Sequence, residues 1–298
     1  MKNACVTILT PTYNRKEYMQ RLYQSLLKQT SRDFKWVIVD DGSSDGTDEV
    51  IENFKNERKI EIEYFWKENG GKHRAINYAL KYINTEAVMI VDSDDYLTDD
   101  AIETILSYVG KYRNDKTISG FSFLRQYPDG KINNKLFPEN NMICSYIDAR
   151  VNGNIGGDKA EVFFSECLKK YPFPEFPGEK FLNEDIVWIR MALDYNMVHV
   201  NKAIYVGDYL EGGLTQSGKH TKILNPLGSM ERGNMLMCPK CKFPVRVKGA
   251  VYYVIFSKFS KKTFKESVKT ANNKKLVVLA YPIGLAAYGF YKRKYGAS

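Results

Sequence analysis

The chain is poor in the residues that staple or clamp a fold from outside. Five cysteines in 298 residues, Cys5, Cys144, Cys167, Cys238 and Cys241, are too few for a disulfide framework, and an odd count suits a reducing compartment. Histidine occurs only at His73, His199 and His220, with no pair at helical metal spacing, and His199 inside Val198–Val200 reads as a structural residue. No succession of charged, apolar and cleavage-site segments opens the chain, because Met1–Thr10 runs directly into the strand-like Val6-Thr7-Ile8-Leu9; the body is therefore expected in the cytoplasm. Long apolar runs are missing too: Leu276–Tyr291 covers about 24 Å as a helix, short of a hydrocarbon core of roughly 30 Å, and Pro282 is expected to interrupt it. Internal repeats and low-complexity tracts are absent. Acid is nearly absent from the C-terminal fifth.

That last scarcity explains the charge. The chain as a whole carries +9, but residues 240–298 hold fourteen Lys and Arg against the single acid Glu266, a net of +13 that leaves −4 for residues 1–239. With 44% hydrophobic and 13% aromatic residues the chain can bury a real core, which excludes collagen-like and disordered classes. Strand and helix patterns alternate through the first hundred residues: strands at Val6–Thr10, Lys35–Asp40, Ile60–Phe65 and Ala87–Val91, helices at Glu17–Gln29, about Thr47–Phe54 and about Lys72–Ile83. A βαβ series of this kind implies an α/β fold with a Rossmann-like, mostly parallel central sheet flanked by helices. Residues 119–177 are less regular, with a strand at Lys159–Ser165. A helix from Asn183 to about Tyr195 and a strand at Val198–Val206 follow.

In such sheets ligands bind beyond the carboxyl ends of the strands, and three of these ends carry polar clusters. Asp92-Ser93-Asp94-Asp95 follows Val88–Val91. Three carboxylates within four residues repel one another unless a cation compensates, and oxygen ligands at a strand end suit Mg²⁺ or Mn²⁺; acids leading into a helix start are the plain alternative. Asp40-Asp41-Gly42-Ser43 allows close backbone approach, and Asp41 can accept hydrogen bonds from a nucleobase or ribose; lacking the Gly-Lys-Ser/Thr ending and being acidic, this segment is no phosphate loop. Asn69-Gly70-Gly71-Lys72-His73-Arg74 joins glycine freedom to cations at a helix start, fit for an anion. Cys238-Pro-Lys-Cys241 has the spacing of half a zinc site or a redox pair, yet no second pair follows it, and a structural role is the plain reading.

Taken in order, Pro11-Thr12-Tyr13-Asn14-Arg15, Asp40-Asp41-Gly42-Ser43, Asn69-Gly70-Gly71-Lys72, Asp92-Ser93-Asp94-Asp95 and Asn183-Glu184-Asp185 resemble the motif set of family 2 glycosyltransferases of the bacterial surface-polysaccharide type, over roughly residues 4–215. The resemblance implies the glycosyltransferase-A fold and an inverting transfer of sugar from a metal-bound UDP-sugar, with Mg²⁺ or Mn²⁺, to a glycan or lipid-linked acceptor. It implies that Pro11, Thr12, Tyr13 and Asp41 line the base pocket, that Gly71, Lys72 and Ser93 face the nucleotide, and that Asp94 and Asp92 are the Asp-x-Asp metal pair. Asp185 is the implied base, with Glu184 beside it. Adjacent helical residues do not share a face, so one of these two acts as base and the other as cap or support. Processive relatives carry Gln-x-x-Arg-Trp after the base; its absence here implies one transfer per visit.

A nucleotidyltransferase acting on sugar phosphates would share the sheet and the paired Asp, but would be expected to show a basic glycine-rich loop where Pro11-Thr12-Tyr13-Asn14 stands. A non-catalytic nucleotide-sugar-binding module would lack Asp94 or Asp185. The glycine-rich Gly212–His220 segment is a candidate cover for the diphosphate through Lys219, His220 or Lys222. Residues 1–239 are thus expected to form the catalytic domain and residues 240–298 a basic helical extension. Val247, Val251, Val254, Ile255 and Phe259 at helical spacing, together with flanking lysines, make that extension a candidate for peripheral attachment to the anionic inner face of the cell membrane. Packing on the catalytic domain or a homodimer contact would use the same helices. Nucleic acid is not an expected partner, because the nucleotide-like clusters lie in the acidic part.

Overall fold

The computed structural model describes residues 5–207 and 218–295. These divide into two compact units, one of residues 5–145, 155–172 and 194–207, the other of residues 146–154, 173–193 and 218–295. Compactness thus divides the chain elsewhere than at residue 239.

The first unit holds β1 (Val6–Thr12), α1 (Lys16–Leu27), β2 (Phe34–Asp40), α2 (Thr47–Glu57), β3 (Ile62–Trp66), α3 (Lys72–Ala79), β4 (Ala87–Ile90), β5 (Tyr96–Leu97), α4 (Ala101–Tyr112), β6 (Ile118–Gln126), β7 (Met142–Cys144), β8 (Lys159–Phe164), α5 (Ser165–Lys169) and, after a segment of the second unit, β9 (Asn196–Val206). Among the described residues the strands form one sheet in the order β3-β2-β1-β4-β8-β6-β9-β5, with β7 on β9. The first four are parallel, and β6 runs parallel to β9, whereas β8 is antiparallel to both its neighbours.

Alternation explains the layers. Val6, Ile8, Trp36, Ile38 and Met89 share a core with Met19, Leu22 and Leu26 of α1, Ile51 and Phe54 of α2, and Ile102, Ile105 and Val109 of α4. The intervening Leu9, Val37, Val39 and Val88 are equally buried and point the other way, and α3 packs on β1 and β2. In the first core Tyr23 stacks on Phe54 with centroids 4.0 Å apart, and the Trp36 indole donates to Thr10 Oγ1 at 2.9 Å, which satisfies the one polar atom that ring buries.

The second unit holds a π-helical turn (Ile147–Asn152) and then α6 (Asp185–Met191), α7 (Gly218–Leu224), α8 (Pro226–Leu236), α9 (Phe243–Phe259), α10 (Phe264–Thr270) and α11 (Lys274–Tyr295). Its core joins Met230, Met237, Tyr253, Val254, Phe256, Val277 and Ala280. Small residues let its helices approach closely: a Cβ on Gly233 would meet the α9 backbone at Tyr253 2.7 Å away. Pro282 does not interrupt α11, contrary to the sequence expectation. Both Pro282 and Val278, whose carbonyl loses its helical partner, are exposed, so solvent serves that carbonyl while the opposite side stays packed.

Candidate functional site

In the first unit β1, β2 and β4 end on one edge of the sheet, and their loops are stitched together. The Asn14 N–H donates to Ser43 Oγ and the Ser44 N–H donates to Asn14 Oδ1, each at 2.8 Å. Asn14 holds a left-handed φ of 50°, which its short polar side chain tolerates. Pro11 and Thr12 close β1. The Thr12 hydroxyl is buried without a partner among the described residues, and the neighbouring Tyr13 ring is 48% exposed.

Asp41 ties down the glycine turn that precedes α3. Its carboxylate is buried and accepts four hydrogen bonds, from Lys67 Nζ (2.7 Å) and the Gly70 N–H (2.9 Å) on one oxygen, and from Asn69 Nδ2 (3.1 Å) and the Gly71 N–H (2.6 Å) on the other. Four donors fill a carboxylate's accepting capacity. Here Asp41 is the clamp of the glycine turn, and a nucleobase would have to displace one of these donors to reach it. The clamp delivers Gly71, whose φ of 100° needs glycine, to the start of α3, and so sets Lys72 as the first helical residue. Lys72 is ion-paired to Asp92.

The acids after β4 are sorted by their neighbours. Asp92, Asp94 and Asp95 offer oxygens that all lie within 4.8 Å of one another. Burial works to raise Asp92, but the charges of Lys72 and then Arg125 outweigh it and hold that carboxyl below the ordinary range. Asp94 faces Arg15 Nε at 4.0 Å, while its carbonyl accepts from Arg21. Ser93 is buried between them. Asp95 is withdrawn: its Oδ2 accepts from Arg125 and, at 2.7 Å, from the Tyr205 hydroxyl, and burial pushes its carboxyl up to about 6. The same Tyr205 oxygen accepts the Asp92 N–H at 3.0 Å, and the Arg125 guanidinium lies 4.0 Å from the Tyr205 ring centroid. Arg125 and Tyr205 are not legible in the sequence. Neither lies in a motif, and only the pairing of β6 with β9, which sets Arg125 opposite Tyr205, brings them together.

Glu184 and Asp185 belong to the second unit. Glu184 occupies the N-cap of α6 without a side-chain capping bond, and Asp185 opens the helix. Asp185 is gripped by Arg232 of α8: Nε lies 2.9 Å from Oδ1 and 2.8 Å from Oδ2, and the Nη2 group 2.6 Å from Oδ2. Burial disfavours the Arg232 charge, but Asp185 overrides it, and the guanidinium is held charged beyond its ordinary range. Of the glycine-rich segment, residues 212–217 lie outside the described residues. Lys219 donates to the Tyr295 hydroxyl at 3.1 Å. In the first unit His199 is structural as expected, fully buried with Nε2 3.3 Å from the Cys144 carbonyl.

The model of "Glycosyl transferase family 2" matches residues 7–158. That span takes in the clamp, Lys72 and the acids after β4. TarS of Staphylococcus aureus (strain Mu50 / ATCC 700699), a poly(ribitol-phosphate) β-N-acetylglucosaminyltransferase, is 32% identical over 217 residues, which are 69% of this chain and 36% of that relative. The chain thus spans about a third of that protein's length. Among solved structures, S. aureus TarS 1–349 in complex with UDP-GlcNAc superposes with a TM-score of 0.65 at 20% identity, over 97% of this chain and 91% of that one. The mannosyltransferase PcManGT from Pyrobaculum calidifontis, in complex with GDP-Man and Mn²⁺, gives 0.59 at 17%, over 97% and 82%. These two show the glycosyltransferase-A fold. On the family match, which covers half of its length and the acidic strand end within it, the chain belongs to glycosyl transferase family 2.

Proposed function

We propose that the chain transfers a sugar from a UDP-sugar to a hydroxyl of a glycan or lipid-linked acceptor, with inversion, in the synthesis of a bacterial surface polysaccharide. The observation that carries this is the division of labour after β4, where Asp92 and Asp94 keep partly exposed carboxylates while Arg125 and Tyr205 draw Asp95 away. The UDP-GlcNAc complex of TarS and that relative's polymer acceptor support the donor and acceptor classes.

The residues fit a divalent cation. Two carboxylates at one strand end, with a lysine and an arginine already compensating their charge, are an oxygen donor set of the right hardness. Asp94 and Asp92 would hold Mg²⁺ or Mn²⁺, which when bound neutralises charge growing on the departing diphosphate; the PcManGT complex with Mn²⁺ supports such a site. Lys72 shares the diphosphate charge, and the exposed Tyr13 ring is open to the nucleoside, with the buried Thr12 hydroxyl behind it. Asp185 takes the acceptor's proton as its oxygen attacks the anomeric carbon and the bond to UDP breaks, which inverts that centre. Glu184 supports the helix start.

Residues 240–298 serve, in this reading, as a peripheral anchor on the anionic inner face of the membrane. Among the described residues no helix is long and apolar enough to cross a membrane. Leu279, Ile283 and Phe290 of α11 are 74%, 60% and 58% exposed on one side of the helix, and Lys274, Lys275, Lys292, Arg293 and Lys294 stand at its two ends.

The test is a screen of UDP-sugars for cation-dependent UDP release. Asp94→Ala should abolish the cation dependence and Asp185→Asn the turnover. Release that is as fast with both substitutions as without them would overturn the assignment.

A further inference from the structure

We infer that Arg232 is a positioning residue for the base, fixing the Asp185 carboxylate so that Oδ1 receives the acceptor's proton. The inference rests on the reading of Asp185 as base. Three contacts of 2.6 to 2.9 Å hold a single rotamer and fall unevenly, two on Oδ2 and one on Oδ1. Oδ2 is the anchored atom, and Oδ1 keeps the greater free accepting capacity. A guanidinium meets a carboxylate as a rigid fork, which fixes direction as well as charge. The fork is itself held, because Arg232 lies on α8, which packs on α6 and α9, with its guanidinium carbon 5.8 Å from the centroid of the Tyr252 ring.

Other charged and titratable groups face the pair: Lys222 of α7, Tyr252 of α9, Tyr146 beside the π-helical turn, and Glu184 next in sequence. Burial, and then the Arg232 charge, pull the Lys222 ammonium below its ordinary range. Arg232 is therefore the pair's permanent cation, and Lys222 is a poor replacement for it.

A carboxylate stripped of its fork loses its aim. The test is UDP release across donor concentrations, using the UDP-sugar that turns over fastest. Arg232→Gln should lower kcat about a hundredfold, with the donor KM unchanged. Arg232→Lys, which keeps a charge without the fork and guards against a misfolded glutamine variant, should recover part of kcat. The double variant Asp185→Asn/Arg232→Gln should be no slower than Asp185→Asn alone. Wild-type kcat in Arg232→Gln would overturn the inference, as would equal losses in the two Arg232 variants. Full activity in Asp185→Asn is a different failure, because it removes the base itself.

Discussion

Asp92, Asp94 and Asp95 share a backbone turn and differ only in their company. Asp95 is buried against a cation and a hydroxyl, so removing the cation leaves a carboxylate that the interior cannot solvate. Arg125→Met is therefore expected to cost about 3 to 5 kcal/mol of stability at pH 8, read from urea unfolding; a cost below about 1 kcal/mol would mean Asp95 is not held as described. In the second unit the Cys238 and Cys241 sulfurs lie 3.4 Å apart. The Cys241 thiol, in contact with Cys238, pulls that group down to about 6 and is itself driven up. Alkylation of Cys238 by iodoacetamide, followed by mass spectrometry, should show a midpoint near 6, moving toward about 8.5 in Cys241→Ala. A midpoint that stays put in that variant would exclude the thiol pair as its cause.

At the scale of elements, the turn before α3 is a device for aiming Lys72. Gly71→Ala forces a φ that side chains avoid, at about 1 to 3 kcal/mol, and should weaken donor binding as well as lower the melting temperature; loss of stability with full donor affinity would detach the turn from the site. Asp41→Asn removes the charge that pairs with Lys67 and turns one of the two accepting oxygens into a donor that faces donors, and should do the same more severely, measured by calorimetry with UDP. Much of this half was legible beforehand: β1, β2 and β4 are apolar runs because both faces of a parallel sheet are buried, and their polar ends mark the candidate site. β6 was not. Ser119, Gly120 and Ser122 break its apolar pattern, yet all lie in the sheet, and Gly120 is small because a Cβ there would run into the backbone of Val162 and Phe163. Nor was Arg232 legible, for a lone arginine in a helix carries no motif, and its partner lies 47 residues away. Pro282 misled in the other direction, since helix breaking is a rule about unsupported interiors and α11 is supported by α9 along its buried side.

At the scale of the molecule, the +9 of the whole chain separates into an acidic body and a tail of +13. Each Lys or Arg near an anionic leaflet contributes about 1 kcal/mol, so attachment should weaken with salt and with loss of the apolar face. The protein should float with phosphatidylglycerol vesicles and remain behind with phosphatidylcholine alone, and Leu279→Ser/Ile283→Ser should abolish flotation. Equal flotation with both lipids, or no effect of the paired substitution, would count against the anchor. The most direct test of the chemistry is UDP release from a panel of UDP-sugars, measured with Mn²⁺, with excess EDTA, and in Asp185→Asn. The expected result is release from at least one donor that EDTA stops and Asp185→Asn reduces at least a hundredfold, an orientation-sized loss. Release that survives both would contradict a cation-assisted transfer with Asp185 as its base.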